Sequence, residues 1–237
     1  MGQETQSLER SFSFTASDGA RIPAFLAEPP GVVNAPRIVI APEFAGLTPW
    51  VKSVAHRLAR EGFRAVAVEI FARDPLPPGA DTKALVARVA RTDFTRAVED
   101  LWEGLRELGH EGRAGAIGFC MGGTLALLLA AEGGVQAAVS CYGRVLFAGL
   151  DPLRPEHPIE AATRIRCPTL GIYGAKDPSI PVADVTALAR VLPEGSEVAL
   201  FDAGHAFLND TRPDMYVEEA ATLAWAKVEG FLNRLLT

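Results

Sequence analysis

Residues 117–124 read IGFCMGGT, and this short stretch decides the fold that we expect. Glycine stands two residues before Cys120 and two residues after it, which is the Gly-x-nucleophile-x-Gly spacing of a nucleophile elbow. Residues 113–119 have the pattern of a buried strand, and residues 121–134 that of a buried helix ending in two glycines. Such a strand-turn-helix unit normally presents a serine, whereas this one presents a thiol.

The segments around this unit alternate between strand and helix patterns. An N-terminal β-hairpin with its turn at Asp18-Gly19 comes first. Further strands are predicted at residues 37–41, 64–70, 135–143, 167–174 and 196–202. Helices are predicted from Pro49 (with Thr48 as N-cap) to Arg60, from about Thr82 to Leu108, over 181–192, and from Pro213 to Leu236. This alternation predicts one α/β domain over residues 1–237, with a mostly parallel sheet, right-handed crossovers and helices on both faces.

Composition excludes several classes of protein. The chain has 237 residues, 49% of them hydrophobic, with a formal net charge of −6 and a pI near 5.3, which argues against a nucleic-acid surface. The first ten residues lack a signal-peptide pattern, and the longest apolar run is too short to span a bilayer. Three irregularly spaced cysteines fit neither a disulfide framework nor a zinc site. We therefore expect a cytoplasmic protein without a metal.

The elbow thiol needs a base and an acid, which in this class of fold follow the nucleophile on later strand ends. Asp177 comes just past one predicted strand, and His205 just past the next. Taken separately, Cys120 could be a small buried hydrophobe, Asp177 a turn residue and His205 an ordinary polar residue. Their order and placement together predict a Cys-His-Asp arrangement. Cys141 and Cys167 have no flanking elbow and are predicted to be structural.

Four motifs carry a family resemblance. They are APEFAGL at 41–47, GFCMGG at 118–123, YGAKDPSIP at 173–181 and DAGHAF at 202–207. Together they resemble dienelactone hydrolase, and the similarity extends over nearly the whole chain. The resemblance implies a single-domain α/β-hydrolase fold. It combines an elbow cysteine with a loop glutamate, which is more specific than either residue alone.

The resemblance also implies roles for individual residues. Glu43, which would otherwise be interpreted as a solvated loop carboxylate, is expected to take the thiol proton when substrate binds. That restricts formation of the thiolate, which is prone to oxidation and alkylation, to productive encounters. The implied site consists of Cys120 as nucleophile, His205 as base, Asp177 as the residue that orients His205, Glu43, and the backbone N–H groups of Phe44 and Met121 as oxyanion hole.

The chain departs from the family at the substrate carboxylate. The lactone-degrading members hold that carboxylate with two arginines, one of them four residues after the histidine, where this chain has Asn209. Dienelactone itself as substrate is therefore not implied. The candidate substrate-binding residues are Asn209, Arg144 and Arg212, with Arg88 as a further substitute.

We therefore predict a hydrolase that cleaves an ester or lactone through a cysteinyl acyl-enzyme, with no cofactor. Its partner is a small-molecule substrate rather than a nucleic acid or a membrane. One alternative is a thioesterase or general carboxylesterase with the same triad. A second is a non-catalytic ligand-binding protein on the same fold. The sequence leaves the oligomeric state open.

Overall fold

The computed structural model describes residues 7–32 and 34–237. Its strands form one eight-stranded sheet in the order β1-β2-β4-β3-β5-β6-β7-β8. The strands are β1 (Leu8–Thr15), β2 (Arg21–Glu28), β3 (Arg37–Ala41), β4 (Arg64–Val68), β5 (Ala114–Phe119), β6 (Ala137–Cys141), β7 (Thr169–Gly174) and β8 (Glu197–Phe201). The prediction about a signal peptide rests partly on residues 1–6, which lie outside the described residues.

Strand direction follows the predicted pattern. β1 and β2 form an antiparallel hairpin, and β2 also pairs antiparallel with β4. From β4 to β8 every pair is parallel. β3 and β5 to β7 are buried along their whole length, as expected for strands covered by helices on both faces. The α/β fold class is therefore confirmed.

Seven helices of the described residues cover the sheet. They are α1 (Pro49–Arg60), α2 (Thr82–Arg91), α3 (Phe94–Arg106), α4 (Met121–Ala131), α5 (Pro158–Ala162), α6 (Val182–Val191) and α7 (Glu218–Leu236). α1 and α7 lie side by side, where Arg57 pairs with Glu229 at 2.5 Å and stacks on Trp225. α3 to α6 contact one another in sequence on the other face. In the part of the chain that the structure describes, no helix is both long and apolar enough to cross a membrane.

The predicted start of α1 is confirmed, because Thr48 Oγ1 accepts the Val51 N–H at 3.3 Å and Pro49 is the first helical residue. The single helix predicted from Thr82 to Leu108 is wrong. The chain leaves the helix at Thr92, and Asp93 then caps a second helix by accepting the Arg96 N–H at 3.1 Å. A capping aspartate competes with a continuous helix for the same backbone donors.

The closing helix also begins later than predicted, at Glu218 rather than Pro213. The Arg212 carbonyl accepts the N–H groups of Met215 and Tyr216 in a turn. The Val217 N–H then bonds to the Phe207 carbonyl at 3.2 Å, which directs the chain away from a helix. The helical pattern of 213–217 therefore yields to a tertiary hydrogen bond.

The turn between β5 and α4 leaves no room for a side chain at its two glycines. A Cβ on Gly118 would lie 1.8 Å from the Gly122 carbonyl oxygen, and one on Gly122 would lie 2.1 Å from the Ala41 carbonyl oxygen. Backbone atoms of three elements thus occupy the space that any side chain would need. Only glycine fits at either position.

Gly118→Ala is expected to destabilise the protein by about 4 kcal/mol or more, since the clash is with backbone that cannot rotate away. Gly230→Ala is the matched control, because a Cβ there meets no atom within 4 Å and the residue is helical. The control should stabilise by about 0.5–1 kcal/mol. Urea unfolding of both variants checks this, and equal stabilities would contradict the packing argument.

Candidate active site

The elbow presents Cys120 in an unusual backbone conformation. Its φ of 55° and ψ of −120° are strained for any residue except glycine. Its N–H donates to the Cys141 carbonyl at 3.0 Å, and its carbonyl accepts from Gly123 at 3.0 Å and Thr124 at 3.3 Å. Hydrogen bonds on both sides therefore hold the thiol at the carboxyl end of β5.

Two later strand ends bring the predicted partners to this thiol. Asp177 follows β7 and His205 follows β8. His205 Nε2 lies 3.1 Å from Cys120 Sγ, and His205 Nδ1 lies 2.6 Å from Asp177 Oδ2. The other Asp177 oxygen accepts from the Ser179 N–H at 2.8 Å and the Ser179 hydroxyl at 2.7 Å. The three side chains form a continuous hydrogen-bonded row.

The row favours a charged histidine. Burial disfavours the imidazolium, but hydrogen bonds with Asp177 and Cys120 outweigh it and raise the pKa of His205 to about 10. Burial would also raise the pKa of Asp177, yet its hydrogen bonds with His205 and Ser179 bring that pKa below its usual value. The pair is therefore ionised at neutral pH.

Glu43 lies at the same sheet edge, after β3, and is 3% exposed. Its Oε2 accepts the Asn209 side-chain N–H at 3.0 Å, and its buried Oε1 has no hydrogen-bond partner among the described residues. Burial raises the pKa of Glu43, while the Asn209 bond and the charges of Arg212 and His205 oppose that rise. Glu43 is thus a buried carboxylate with one free oxygen beside the histidine.

Asn209 is fixed from behind. Its Oδ1 accepts the Thr211 N–H at 3.0 Å and the Thr211 hydroxyl at 2.6 Å, so its amide nitrogen faces Glu43. Asn209 is 3% exposed. Asn209 is therefore a buried hydrogen-bond partner of Glu43.

The remaining candidate residues have different surroundings. Arg212 is half-buried, with its guanidinium 5.6 Å from the centre of the Phe44 ring. The Arg144 side chain is exposed. As the first residue of α4, Met121 has an N–H without a carbonyl partner inside the helix. The Phe44 N–H makes no hydrogen bond to another group of the described chain.

Tyr142 was not singled out from the sequence. It has a φ of 41°, and its ring lies 5.2 Å from the His205 ring. Burial raises its pKa well above the usual value, and the charges of Glu43, Cys141 and Cys120 add to that rise. Within the described chain its hydroxyl has no partner. A tyrosine at the end of a buried strand gives no sequence signal for this, because its ring could equally pack in the core.

A metal centre has no basis in the described residues, where no group of three or more His, Cys, Asp or Glu side chains is arranged to hold an ion. At the sheet edge, Cys120, His205 and Asp177 bond to one another, and one Glu43 oxygen bonds to Asn209.

An eight-stranded, mostly parallel sheet with a strained elbow and an acid and a histidine on later strand ends defines the α/β-hydrolase class. A sequence model of the dienelactone hydrolase family matches residues 22–236. The chain therefore belongs to the dienelactone hydrolase family, as its motifs predicted.

Individual relatives agree with this assignment. A Salmonella typhimurium protein named "Putative carboxymethylenebutenolidase" is 33% identical over 225 residues, which cover 90% of this chain and 82% of that protein. The crystal structure of a "Putative Dienelactone Hydrolase" from Klebsiella pneumoniae superposes with a TM-score of 0.86 at 30% identity, covering 95% of this chain and 98% of the other. A dienelactone hydrolase from Anabaena variabilis has a TM-score of 0.72 at 21% identity, covers 98% and 100% of the two chains, and supports the fold alone.

The ionised pair has a defined pH dependence. Folding raises the pKa of His205 from 6.5 to about 10. The charged imidazole therefore contributes to the free energy of unfolding below about pH 6.5, and this contribution is lost as the pH rises through about 10. For Asp177 the sign is opposite. Its contribution is present above about pH 3.9 and is lost as pH falls through the lowered folded-state pKa.

The NMR signal of the His205 ring should therefore shift with a midpoint near pH 10. The signal is assigned by its absence from the spectrum of His205→Gln. Asp177→Asn should move this titration down toward the ordinary value of about 6.5, because the charged partner is gone. A His205 titration near 6.5 in the unmodified protein would contradict the ionised pair.

Proposed function

We propose that the protein hydrolyses carboxylic esters or lactones through Cys120, His205 and Asp177, with a cysteinyl acyl-enzyme as intermediate. The observation that carries this proposal is the row of contacts at 3.1 Å and 2.6 Å from Cys120 through His205 to Asp177. These distances are within the reach that proton transfer and orientation of the base require.

Acylation begins when Cys120 loses its proton, and the free Oε1 of Glu43 is the proposed acceptor. The sulfur attacks the carbonyl carbon, and the N–H groups of Phe44 and Met121 stabilise the developing oxyanion. The tetrahedral intermediate then collapses to a thioester. The leaving alkoxide takes its proton from the His205 imidazolium, which is already charged at neutral pH.

Deacylation restores every group. Neutral His205 takes a proton from water, and the resulting hydroxide attacks the thioester carbonyl. The acid departs, Cys120 leaves as thiolate, and it recovers its proton from Glu43. Asp177 keeps one imidazole nitrogen as its hydrogen-bond donor throughout. The net reaction consumes one water and one ester, and yields an acid and an alcohol.

Arg212 supports a preference for substrates that carry a carboxylate. Asn209 has no charge, and its side chain is already bound to Glu43 and Thr211, so it offers no counter-charge to a substrate carboxylate. Arg212 is half-exposed, forms no ion pair with another described residue, and acts on Glu43 through its charge. Arg144 is exposed and serves as a second, weaker candidate.

Cys120→Ala should abolish turnover of a p-nitrophenyl ester and keep the fold, because a small residue fits the tight turn. Cys120→Ser should retain weak activity, since a hydroxyl needs more help from the base. The intact mass of the unmodified protein after rapid mixing should show one acyl group per chain. Cys167→Ser is the control, because Cys167 precedes β7, at the opposite end of the parallel strands from Cys120, Asp177 and His205.

Near-normal turnover in Cys120→Ala would rule out the proposed nucleophile. A non-catalytic binding protein would give neither a burst nor turnover with any ester. A thioesterase would instead prefer acyl thioesters over oxygen esters of the same acid, so comparing these two substrates distinguishes the alternatives.

Arg212→Gln should raise KM about 10-fold for an ester that carries a free carboxylate and leave KM for its methylated, neutral analogue unchanged, since a lost charge-assisted contact is worth roughly 1.5–3 kcal/mol. Steady-state kinetics with the matched pair of substrates measures this. Arg144→Gln provides the comparison at an exposed arginine. Equal effects on both substrates would exclude a role in charge recognition.

A further inference from the structure

Arg88 is buried although it has no ion-pair partner. It lies on α2, is 6% exposed, and its guanidinium is 3.8 Å from the centre of the Phe71 ring. No carboxylate lies within 4.0 Å of it in the described chain, and its buried Nε has no hydrogen-bond partner there. Glu69 and Asp74 act on it only from a distance. A desolvated charge of this kind is costly. The guanidinium makes one hydrogen bond to the described residues, and that bond calls for an explanation.

That hydrogen bond reaches the loop of the candidate site. Arg88 Nη2 donates to the Phe44 carbonyl at 2.9 Å. Residues Glu43 to Gly46 form a β-turn closed by the Gly46 N–H and the Glu43 carbonyl at 3.0 Å. The Phe44 carbonyl belongs to the central peptide of this turn, which is the peptide that reverses when a turn changes between types I and II. Arg88 therefore anchors the centre of the turn and opposes its opening.

The same turn carries two groups of the proposed mechanism. Glu43 is its first residue, and the Phe44 N–H belongs to the peptide whose carbonyl closes the turn. Because C=O and N–H point in opposite directions in a trans peptide, closing the turn directs the Phe44 N–H away from Gly46. On the far side, Glu69 accepts the Leu47 N–H at 2.9 Å. The turn is thus held at its centre by Arg88 and at its exit by Glu69.

We propose that Arg88 is a positioning residue that keeps the Glu43–Gly46 turn closed and thereby places the Phe44 N–H and the Glu43 carboxylate. This inference rests on the proposed function. It also removes Arg88 from the candidate substrate-binding residues, because its side chain is enclosed and bound to the loop. A displacement of the oxyanion donor by about 1 Å lowers the rate by roughly 10²-fold.

The test compares Arg88→Met, which keeps an apolar stem of similar length, with Arg91→Met. Arg91 lies one turn along the same helix, is exposed, pairs with Asp74 and does not touch the loop. Arg88→Met should lower kcat by about 10–100-fold at nearly constant KM, with an unchanged or higher urea midpoint, because a buried unpaired charge is removed. Its acyl burst should be slower but still reach one group per chain. Arg91→Met should behave as the unmodified protein.

Amide hydrogen exchange provides a readout that does not need turnover. The Gly46 N–H should exchange faster in Arg88→Met than in Arg91→Met, because the turn opens more often. Arg88→Lys keeps the charge and one donor, so it should recover part of kcat and of the exchange protection. If Arg88→Met does not fold, Arg88→Lys is compared with the unmodified protein instead.

Two outcomes overturn the proposal. One is unchanged kcat in the Arg88 variants, and the other is unchanged Gly46 exchange. If the unmodified protein shows no burst with any ester, the proposed function fails, and the exchange experiment still decides whether Arg88 holds the turn. Unchanged kcat together with a lower urea midpoint would assign Arg88 a structural role only.

Discussion

The rest of the structure depends on the backbone contact at the elbow. Gly118 touches the Gly122 carbonyl and Gly122 touches the Ala41 carbonyl, so that strand β5, helix α4 and the end of β3 meet without any side chain between them. This contact holds Cys120 at its strained φ and ψ. It also brings the end of β3, and with it the Glu43 turn, beside the thiol. The strain at Cys120 is therefore maintained by the packing of three elements rather than by local sequence preference.

Around this point the protein buries several charged groups, and each has a different kind of partner. Asp177 and His205 compensate each other at 2.6 Å. Glu43 has only a neutral amide as direct partner, and burial raises its pKa, which makes it a better proton acceptor. Arg88 rests on an aromatic ring and a backbone carbonyl. Burying Glu43 with only a neutral partner and burying Arg88 without an ion-pair partner both lower the free energy of unfolding. Glu43 belongs to the Glu43–Gly46 turn and Arg88 binds that turn, which is proposed to act on substrate.

The sequence was sufficient to predict the sheet, the hairpin and the elbow, and to place Cys120, Asp177 and His205 after strand ends. These features depend on local patterns: buried strands, glycine spacing, and polar residues directly after strands. It was insufficient for the break at Asp93. The helical periodicity continues through that residue, but the Asp93 side chain accepts the Arg96 N–H and so begins a second helix. Tyr142 and the contact of Arg88 with Phe44 were also not predicted, since a tyrosine on a strand and an arginine on a helix have many ordinary positions.

The sequence by itself determined which residues stand at the ends of parallel strands, because strand and helix patterns are local. The carboxyl ends of such strands share one edge of the sheet, so these residues are brought to the same edge. What only the tertiary structure decided is how those residues are paired and desolvated. Cys120 and His205 are 85 positions apart, and Glu43 and Asn209 are 166 apart. Whether a carboxylate at that edge meets a cation, an amide or nothing depends on the packing of loops from distant parts of the chain. The physical reason is that proton affinity follows burial and neighbouring charge, and neither is a local property of the sequence.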